Sequence, residues 1–163
     1  MKIKKITYSA ILVAMGVVVG NVIYIPVGAA KCFPIQSVIN VLTAVLLGPS
    51  YGVAVAFCIS LIRNFFGTGT ILAFPGSMIG AFLAGILYKY TKKDSMAVIG
   101  EIFGTGIIGG LVAFPLATFI LGKHAAMFFY VIPFLTSTIG GSIIAYILIK
   151  ALEKSKTLKI NKN

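Results

Sequence analysis

The chain has 163 residues, of which 59% are hydrophobic and 10% charged, and its mean hydropathy is +1.06. A soluble domain of this length needs far more polar surface to cover its core, so the composition excludes an ordinary soluble protein. The net charge of +11 is distributed in a way that indicates orientation in a membrane, not nucleic-acid binding. We therefore expect a single-domain, all-α integral membrane protein in the lipid bilayer.

The first apolar run covers about residues 6–25, after three lysines, and looks like a secretory signal. Cys32 in "GAAKC" would then be a candidate lipoprotein cysteine. Lys31 directly before that cysteine fits poorly, and the chain that follows is itself strongly apolar. We expect a retained transmembrane helix here, with cleavage as the less favoured alternative.

The second apolar run, residues 35–62, is 28 residues long, about 42 Å as a single helix. That is too long for one upright crossing, yet "GPS" at residues 48–50 divides it into halves that are short for two. Proline lacks an N–H group and clashes inside a helix, so a break at this point is expected. Two short helices would have to tilt or share a partly sunken turn.

Later runs cover about residues 76–88, 95–121 and 125–149, and the fourth helix is expected to begin before Gly76. With six crossings, 11 basic residues lie on the cytoplasmic side and 3 outside, whereas the better five-crossing arrangement gives 9 against 5. The positive-inside rule therefore predicts six helices with both termini in the cytoplasm. Residues 1–152 form the domain and residues 153–163 a basic tail.

The stretch "RNFFGTGTILAFPG" sets polar side chains between apolar runs, on the same predicted external side as the loop "VGAAKCFPIQ". Polar groups in or near hydrocarbon are costly unless they are paired or line a cavity, so their clustering favours a binding site. Arginine, amide and hydroxyl groups supply hydrogen bonds, and phenylalanine rings supply flat apolar faces. The candidate substrate-binding residues from this reasoning are Gln36, Asn40, Arg63, Asn64, Thr68, Thr70, Phe33 and Phe74.

Each of these residues also has a structural explanation. Arg63 lies near a helix end, where its side chain could reach the membrane interface, and the glycines could simply permit turns. For any single residue the structural explanation is the stronger one, whereas the clustering favours ligand contact.

Glu101 is an acid several residues inside the fifth helix, and an ionisable group inside a membrane is a candidate functional residue. We include it among the substrate-binding residues. Its structural alternative is pairing with Lys92 or Lys93, or a hydrogen bond to a neighbouring helix. A position near the cytoplasmic end would also fit an external pocket poorly.

No catalytic constellation, metal-ligand spacing or cofactor motif is found in the sequence, so we expect neither an enzyme nor a cofactor. "GTGIIG" matches a dinucleotide fingerprint but lies inside a transmembrane run, where that fold cannot form. The pairs of small residues one turn apart are explained by close helix packing in lipid. They are Ala10 with Ala14, Gly76 with Gly80, Gly100 with Gly104, and Gly106 with Gly110.

Three blocks, "PVGAAKCFPIQSVINVLTAVLLGPSYG", "RNFFGTGTILAFPGSMIGAFLAG" and "GEIFGTGIIGG", resemble the ThiW family over nearly the whole span from the first to the last helix. The resemblance implies a six-helix S component of an energy-coupling factor (ECF) transporter, which takes up the thiamin precursor hydroxyethylthiazole. The partners it implies are a transmembrane coupling subunit, which docks on the motif matched by Ala10 and Ala14, and two ABC-type ATPases. The location it implies is the cell membrane of a prokaryote.

Two alternatives stay open. One is an S component for another thiamin fragment or vitamin, and the other is a self-sufficient small secondary carrier, for which Glu101 would have to carry the coupled proton.

Overall fold

The computed structural model describes residues 2–23, 25–27, 30–122, 126 and 128–155. Within them the chain forms six helices and, after the first, a short antiparallel hairpin. The helices are α1 Lys2–Val22, α2 Pro34–Leu47, α3 Pro49–Phe65, α4 Ala73–Thr91, α5 Asp94–Phe119 and α6 Val131–Lys154, and the strands are β1 Ile25–Val27 and β2 Ala30–Cys32.

Among the described residues, three helical segments are long and apolar enough to cross a membrane, namely Ile3–Val22, Asp94–Phe119 and Val131–Lys154. Helix α2 is apolar but has 14 residues, and α3 has 17. The predicted all-α membrane protein with six helices is confirmed, and so is the shortness of the second and third helices.

The first helix ends earlier than the sequence predicted. It was expected to reach residue 25, but it stops at Val22, and Ile25 begins the hairpin. The cause is Pro26, because a residue that precedes proline is disfavoured in the helical conformation.

The predicted loop before the second helix also ends earlier than expected. Pro34 occupies the first turn of α2, where its missing N–H costs nothing. Gln36 therefore belongs to a helix and not to a loop.

The long run breaks at Gly48, as "GPS" predicted. Gly48 has a φ of 97°, a left-handed conformation that glycine adopts without strain. Pro49 then occupies the first turn of α3, which suits its fixed φ. Helix α4 begins at Ala73, before Gly76, as expected.

Helices α1 and α3 run parallel to each other. Near their beginnings the Lys5 ammonium lies 5.4 Å from the centre of the Tyr51 ring, and near their ends the Arg63 side chain contacts Asn21. Between and after them, each helix runs antiparallel to the one before it. The beginning of α1 and the end of α6 therefore lie at the same end of the bundle, which agrees with six crossings and not with five.

Glycine contacts set the packing of α5 against α4. The facing pairs are Gly100 with Ala84, Gly104 with Gly80, and Gly109 with Gly76. A methyl group on Gly104 would lie 2.6 Å from the Gly80 Cα, so the helices approach closely because side chains are missing. The glycines of α5 are spaced by four and then five residues, against four and four on α4. The extra residue falls in the π-helical stretch Ile102–Gly109, whose wider turn keeps Gly109 facing α4.

Two further glycines of α5 face α6. Gly106 lies against Leu135 and Thr138, and Gly110 lies against Val131. Three of the four predicted small-residue pairs therefore pack inside the bundle.

The proposed boundary at residue 152 falls inside α6, which continues to Lys154. Residues 156–163 of the predicted tail lie outside the described residues, as does Lys123, which was counted on the external side.

Candidate functional site

Arg63 is the centre of the polar stretch, and the bundle buries it almost completely, with 2% of its surface exposed. Its guanidinium donates from Nη1 to Gln36 Oε1 (3.1 Å), from Nη2 to the Thr68 carbonyl (3.3 Å) and from Nε to Asn21 Oδ1 (3.4 Å). The end of α3 is thereby tied to α1 and α2. The side chain therefore points into the bundle and not away from it.

The faces of the guanidinium are also in contact. Its Cζ lies 4.0 Å from the centre of the Phe33 ring, within the distance at which a cation is attracted to an aromatic face. Gly20 of α1 lies beside the same group, and a methyl group there would be 3.7 Å from Nη1. Phe33, predicted as a stacking surface for substrate, stacks on Arg63 in this structure.

Among the described residues, no carboxylate forms an ion pair with Arg63. A guanidinium has five N–H groups, and the hydrogen bonds above use three of them. Because a buried cation is costly unless it is compensated, the remaining donors favour an acceptor brought by a ligand.

Asn64, Thr68 and Thr70 build the turn that follows α3. Asn64 Nδ2 donates to the Ser60 carbonyl (2.8 Å) and the Thr70 carbonyl (3.2 Å), and Thr68 Oγ1 donates to the Arg63 carbonyl (3.2 Å). Thr68 and Thr70 are exposed. These side-chain contacts hold the turn in which the Thr68 carbonyl accepts a hydrogen bond from Arg63. This part of the predicted site therefore positions the arginine.

Phe74 lies at the beginning of α4 and pairs with Phe57 of α3. The two rings meet edge to face, with centres 5.7 Å apart. Because 42% of the Phe57 surface is exposed, this pair lies towards the outside of the bundle. The Phe74 ring is not part of the group around Arg63, although the Phe74 carbonyl accepts a hydrogen bond from Ser77 Oγ (3.3 Å).

A chain of hydrogen bonds continues inward from Gln36. Gln36 Nε2 donates to Ser60 Oγ (2.8 Å), and Ser60 Oγ lies 3.2 Å from Ser77 Oγ, where either hydroxyl can donate. Asn40 Nδ2 then donates to the Ser77 carbonyl (3.2 Å). These contacts link α2, α3 and α4 through buried side chains.

The chain ends at Glu101, whose side chain is completely buried. Its Oε1 accepts from Asn40 Nδ2 (3.0 Å) and from Thr105 Oγ1 (2.9 Å). Thr105 Oγ1 also lies 3.0 Å from the Gly76 carbonyl, to which it can donate instead. A hydrogen bond to a neighbouring helix was one alternative for this acid, and that contact is observed.

Glu101 therefore shares one network with Arg63, although the sequence suggested a position too far from the external end. The link is Asn40, which lies one helical turn beyond Gln36 on α2. The separation of the two amides along the helix axis is about 6 Å.

Sequence reasoning missed four members of this network: Asn21, Ser60, Ser77 and Thr105. Each is a polar residue within or at the end of an apolar run, and that signal could have found them. Their side chains are small or, for Asn21, near a helix end, so they stood out less than Arg63 and Glu101.

Ala10 and Ala14 are exposed on α1. They lie among large exposed apolar side chains, which are Ile3, Ile6, Ile11, Met15, Val18 and Val22. This face of α1 packs against no other described helix and is open to lipid or to a partner. Within the described residues, no three His, Cys, Asp or Glu side chains come together as a metal site.

The comparison with protein families agrees with the sequence resemblance. Residues 6–155 match the family described as thiamine-precursor transporter protein (ThiW). No curated protein is similar enough to the chain to count as a relative. The family match covers nearly all of the six-helix bundle, including every residue of the Arg63–Glu101 network. The chain therefore belongs to the ThiW family of thiamine-precursor transporter proteins.

Proposed function

We propose that this transporter is the S component of an ECF importer, a subunit that binds hydroxyethylthiazole at the external end of the bundle. A transmembrane coupling subunit and two ABC-type ATPases would then drive uptake across the cell membrane of a prokaryote. The chain itself binds substrate and carries out no chemistry.

The observation that carries this proposal is the buried Arg63 guanidinium, which has unused donors and no acidic partner among the described residues. It lies at the end of the bundle that the lysine distribution predicts to be external. A small heterocycle with a ring nitrogen offers an acceptor for those donors and an apolar face to bury. The amides of Asn21 and Gln36 hold the guanidinium in place for such contact.

The coupling to partners is supported by the exposed face of α1. Ala10 and Ala14 form a small-residue pair one turn apart on that face, which lets another helix approach closely. The chain contains no Walker A sequence, which fits ATP hydrolysis by other subunits.

Calorimetric titration of the detergent-purified chain with hydroxyethylthiazole tests the proposal. Thiamin and the hydroxymethylpyrimidine fragment are the comparison ligands, and calorimetry is preferable because the chain has no tryptophan. We expect saturable binding of the thiazole alcohol by the chain alone, tighter than that of either comparison ligand. If folded protein prefers the pyrimidine, the chain is an S component for that fragment, and if it binds none of the three, the thiazole assignment is wrong.

The buried Glu101 favours a second candidate, a carrier that couples uptake to protons without ATPases. Proteoliposomes that contain only this chain separate the two functions. Uptake that depends on a proton gradient in such vesicles would support the carrier, and its absence is expected for an S component.

A further inference from the structure

By hydrogen-bond geometry, three buried side-chain atoms in the middle of the bundle have no partner among the described residues, although the Ser37 side chain of α2 lies close to the Glu101 carboxyl group. They are Asn40 Oδ1, Glu101 Oε2 and Ser142 Oγ. An acceptor that is buried without a donor costs stability, because the same group is solvated in water. Native proteins contain few such atoms. Two of the three belong to Asn40 and Glu101, which are joined to each other by a hydrogen bond, so their lack of partners needs an explanation.

Close backbone contacts surround these atoms. A methyl group on Gly80 would lie 2.6 Å from Glu101 Oε2, so the backbone of α4 passes directly against the carboxyl group. Gly141, next to Ser142 on α6, packs against the Pro34 carbonyl and the Ser37 Cβ of α2. The unpaired atoms therefore lie where α2, α4, α5 and α6 come together.

Within the described part of the chain, one end of the polar network has hydrogen-bond donors without acceptors, and the other end has acceptors without donors. Among the described residues, Arg63 has two N–H groups without an acceptor at one end, and Asn40 Oδ1 and Glu101 Oε2 have no donor at the other end. The amides that connect them, Gln36 and Asn40, are one helical turn apart, about 6 Å. A small ligand with an acceptor at one end and a donor at the other matches this polarity.

We propose that Asn40 and Glu101 form the inner end of the substrate site and that Glu101 Oε2 accepts the hydrogen of the substrate's hydroxyl group. This inference rests on the proposed function. The thiazole alcohol has one hydrogen-bond donor, its hydroxyl group, and its ring nitrogen can only accept. The ring nitrogen therefore belongs at the Arg63 end and the hydroxyl at the Glu101 end.

The test compares two ligands on the same protein. One is hydroxyethylthiazole, and the other is 5-ethyl-4-methylthiazole, in which hydrogen replaces the hydroxyl group. Each is titrated by calorimetry into the unmodified chain. A hydrogen bond to a buried carboxyl group corresponds to about tenfold to hundredfold in affinity, so we expect the alcohol to bind tighter by about that factor.

The variant Glu101→Gln identifies the residue responsible. Glutamine keeps the size of the side chain and an oxygen for Asn40 and Thr105, but places an N–H donor where Oε2 was. We expect the affinity for the alcohol to fall about tenfold and the affinity for the ethyl analogue to stay the same. The matched control is Glu153→Gln, which removes an acid paired with Lys150 at the other end of α6 and should change neither affinity.

The outcomes separate this inference from the function beneath it. Equal binding of both ligands by the unmodified chain would leave the thiazole assignment standing and overturn the role of Glu101, and this result needs no variant to fold. A Glu101→Gln variant that weakens both ligands equally would also overturn it, because the effect would not depend on the hydroxyl group. If neither ligand binds the folded chain, the proposed function and the inner site both fail.

Discussion

Gly140 and Gly141 are adjacent on α6, and the structure predicts opposite effects for the same substitution at these two positions. A methyl group on Gly141 would collide with the Pro34 carbonyl oxygen and lie 2.9 Å from the Ser37 Cβ, whereas one on Gly140 meets nothing within 4 Å. The atoms facing Gly141 belong to the backbone and to the first side-chain carbon of α2. They cannot move aside unless α2 and α6 separate by about 1 Å.

The magnitude follows from the difference between the two variants. Replacing glycine by alanine within a helix raises the free energy of unfolding by up to about 1 kcal/mol. This gain is the same at both positions, so it cancels when the two variants are compared. What remains is the cost of overpacking at Gly141, typically about 1–3 kcal/mol and at the upper end here because backbone atoms are in contact. At about 2–4 °C per kcal/mol, a cost of about 3 kcal/mol lowers the unfolding midpoint of Gly141→Ala by about 6–12 °C relative to Gly140→Ala.

The assay heats the purified variants in detergent and measures the folded monomer that remains by size-exclusion chromatography. Gly140→Ala should match or slightly exceed the unmodified chain. Equal midpoints for the two variants would show that α2 and α6 are not in backbone contact at Gly141, and the close packing described here would be wrong.

Three further outcomes are expected. Arg63→Lys should lower the affinity for hydroxyethylthiazole about tenfold, because a compact ammonium group cannot reproduce the planar array of N–H donors of the guanidinium. Calorimetry measures the change. Ala10→Leu with Ala14→Leu should abolish uptake by the complete transporter while substrate binding by the isolated chain is unchanged, because bulky side chains prevent close docking. Lys150→Met should lower the free energy of unfolding by about 1 kcal/mol, because it removes the 2.6 Å ion pair with the buried Asp94 while Lys150 itself is half exposed.

The Lys150 prediction has a matched control variant, and each of the other two has a result that would contradict it. Lys154→Met, one turn after Lys150 in α6, should have little effect on the same heating assay, and equal losses would point to a general effect of lost charge. Normal uptake with both leucines in place would exclude α1 as the docking face. An Arg63→Lys protein that binds the thiazole normally would show that the guanidinium serves the fold alone.

The sequence predicted the helices well where a single residue decides the local conformation. The break at Gly48 followed from a glycine and a proline that cannot continue a helix, and the position of α4 followed from the length needed to cross a bilayer. The end of α1 was predicted three residues too late because hydrophobicity was weighed above Pro26.

The sequence could not predict which side chains form hydrogen bonds with each other inside the site. Which side chain meets Glu101 depends on how α2 and α5 rotate about their axes, and that rotation depends on glycines that face each other across helices. The π-helical stretch adds one residue to a turn of α5, and this extra residue keeps Gly109 against Gly76 of α4. A regular α-helix, which the sequence alone would predict here, would turn Gly109 away from α4. Polar residues in apolar runs could be counted in advance, whereas their pairing could not.

The network itself argues for a ligand more strongly than any one of its members does. A polar network that serves only to join helices gains most when every donor and acceptor inside it is satisfied, because in a low-dielectric interior each unpaired group is expensive. In the middle of this network each side-chain nitrogen and oxygen of Gln36, Ser60 and Ser77 has at least one partner. At the two ends, two N–H groups of Arg63 donate to no described residue, and Asn40 Oδ1 and Glu101 Oε2 accept from none. Such a distribution is what a site for a small molecule with opposite polarity at its two ends requires, and a purely structural role gives no reason for it.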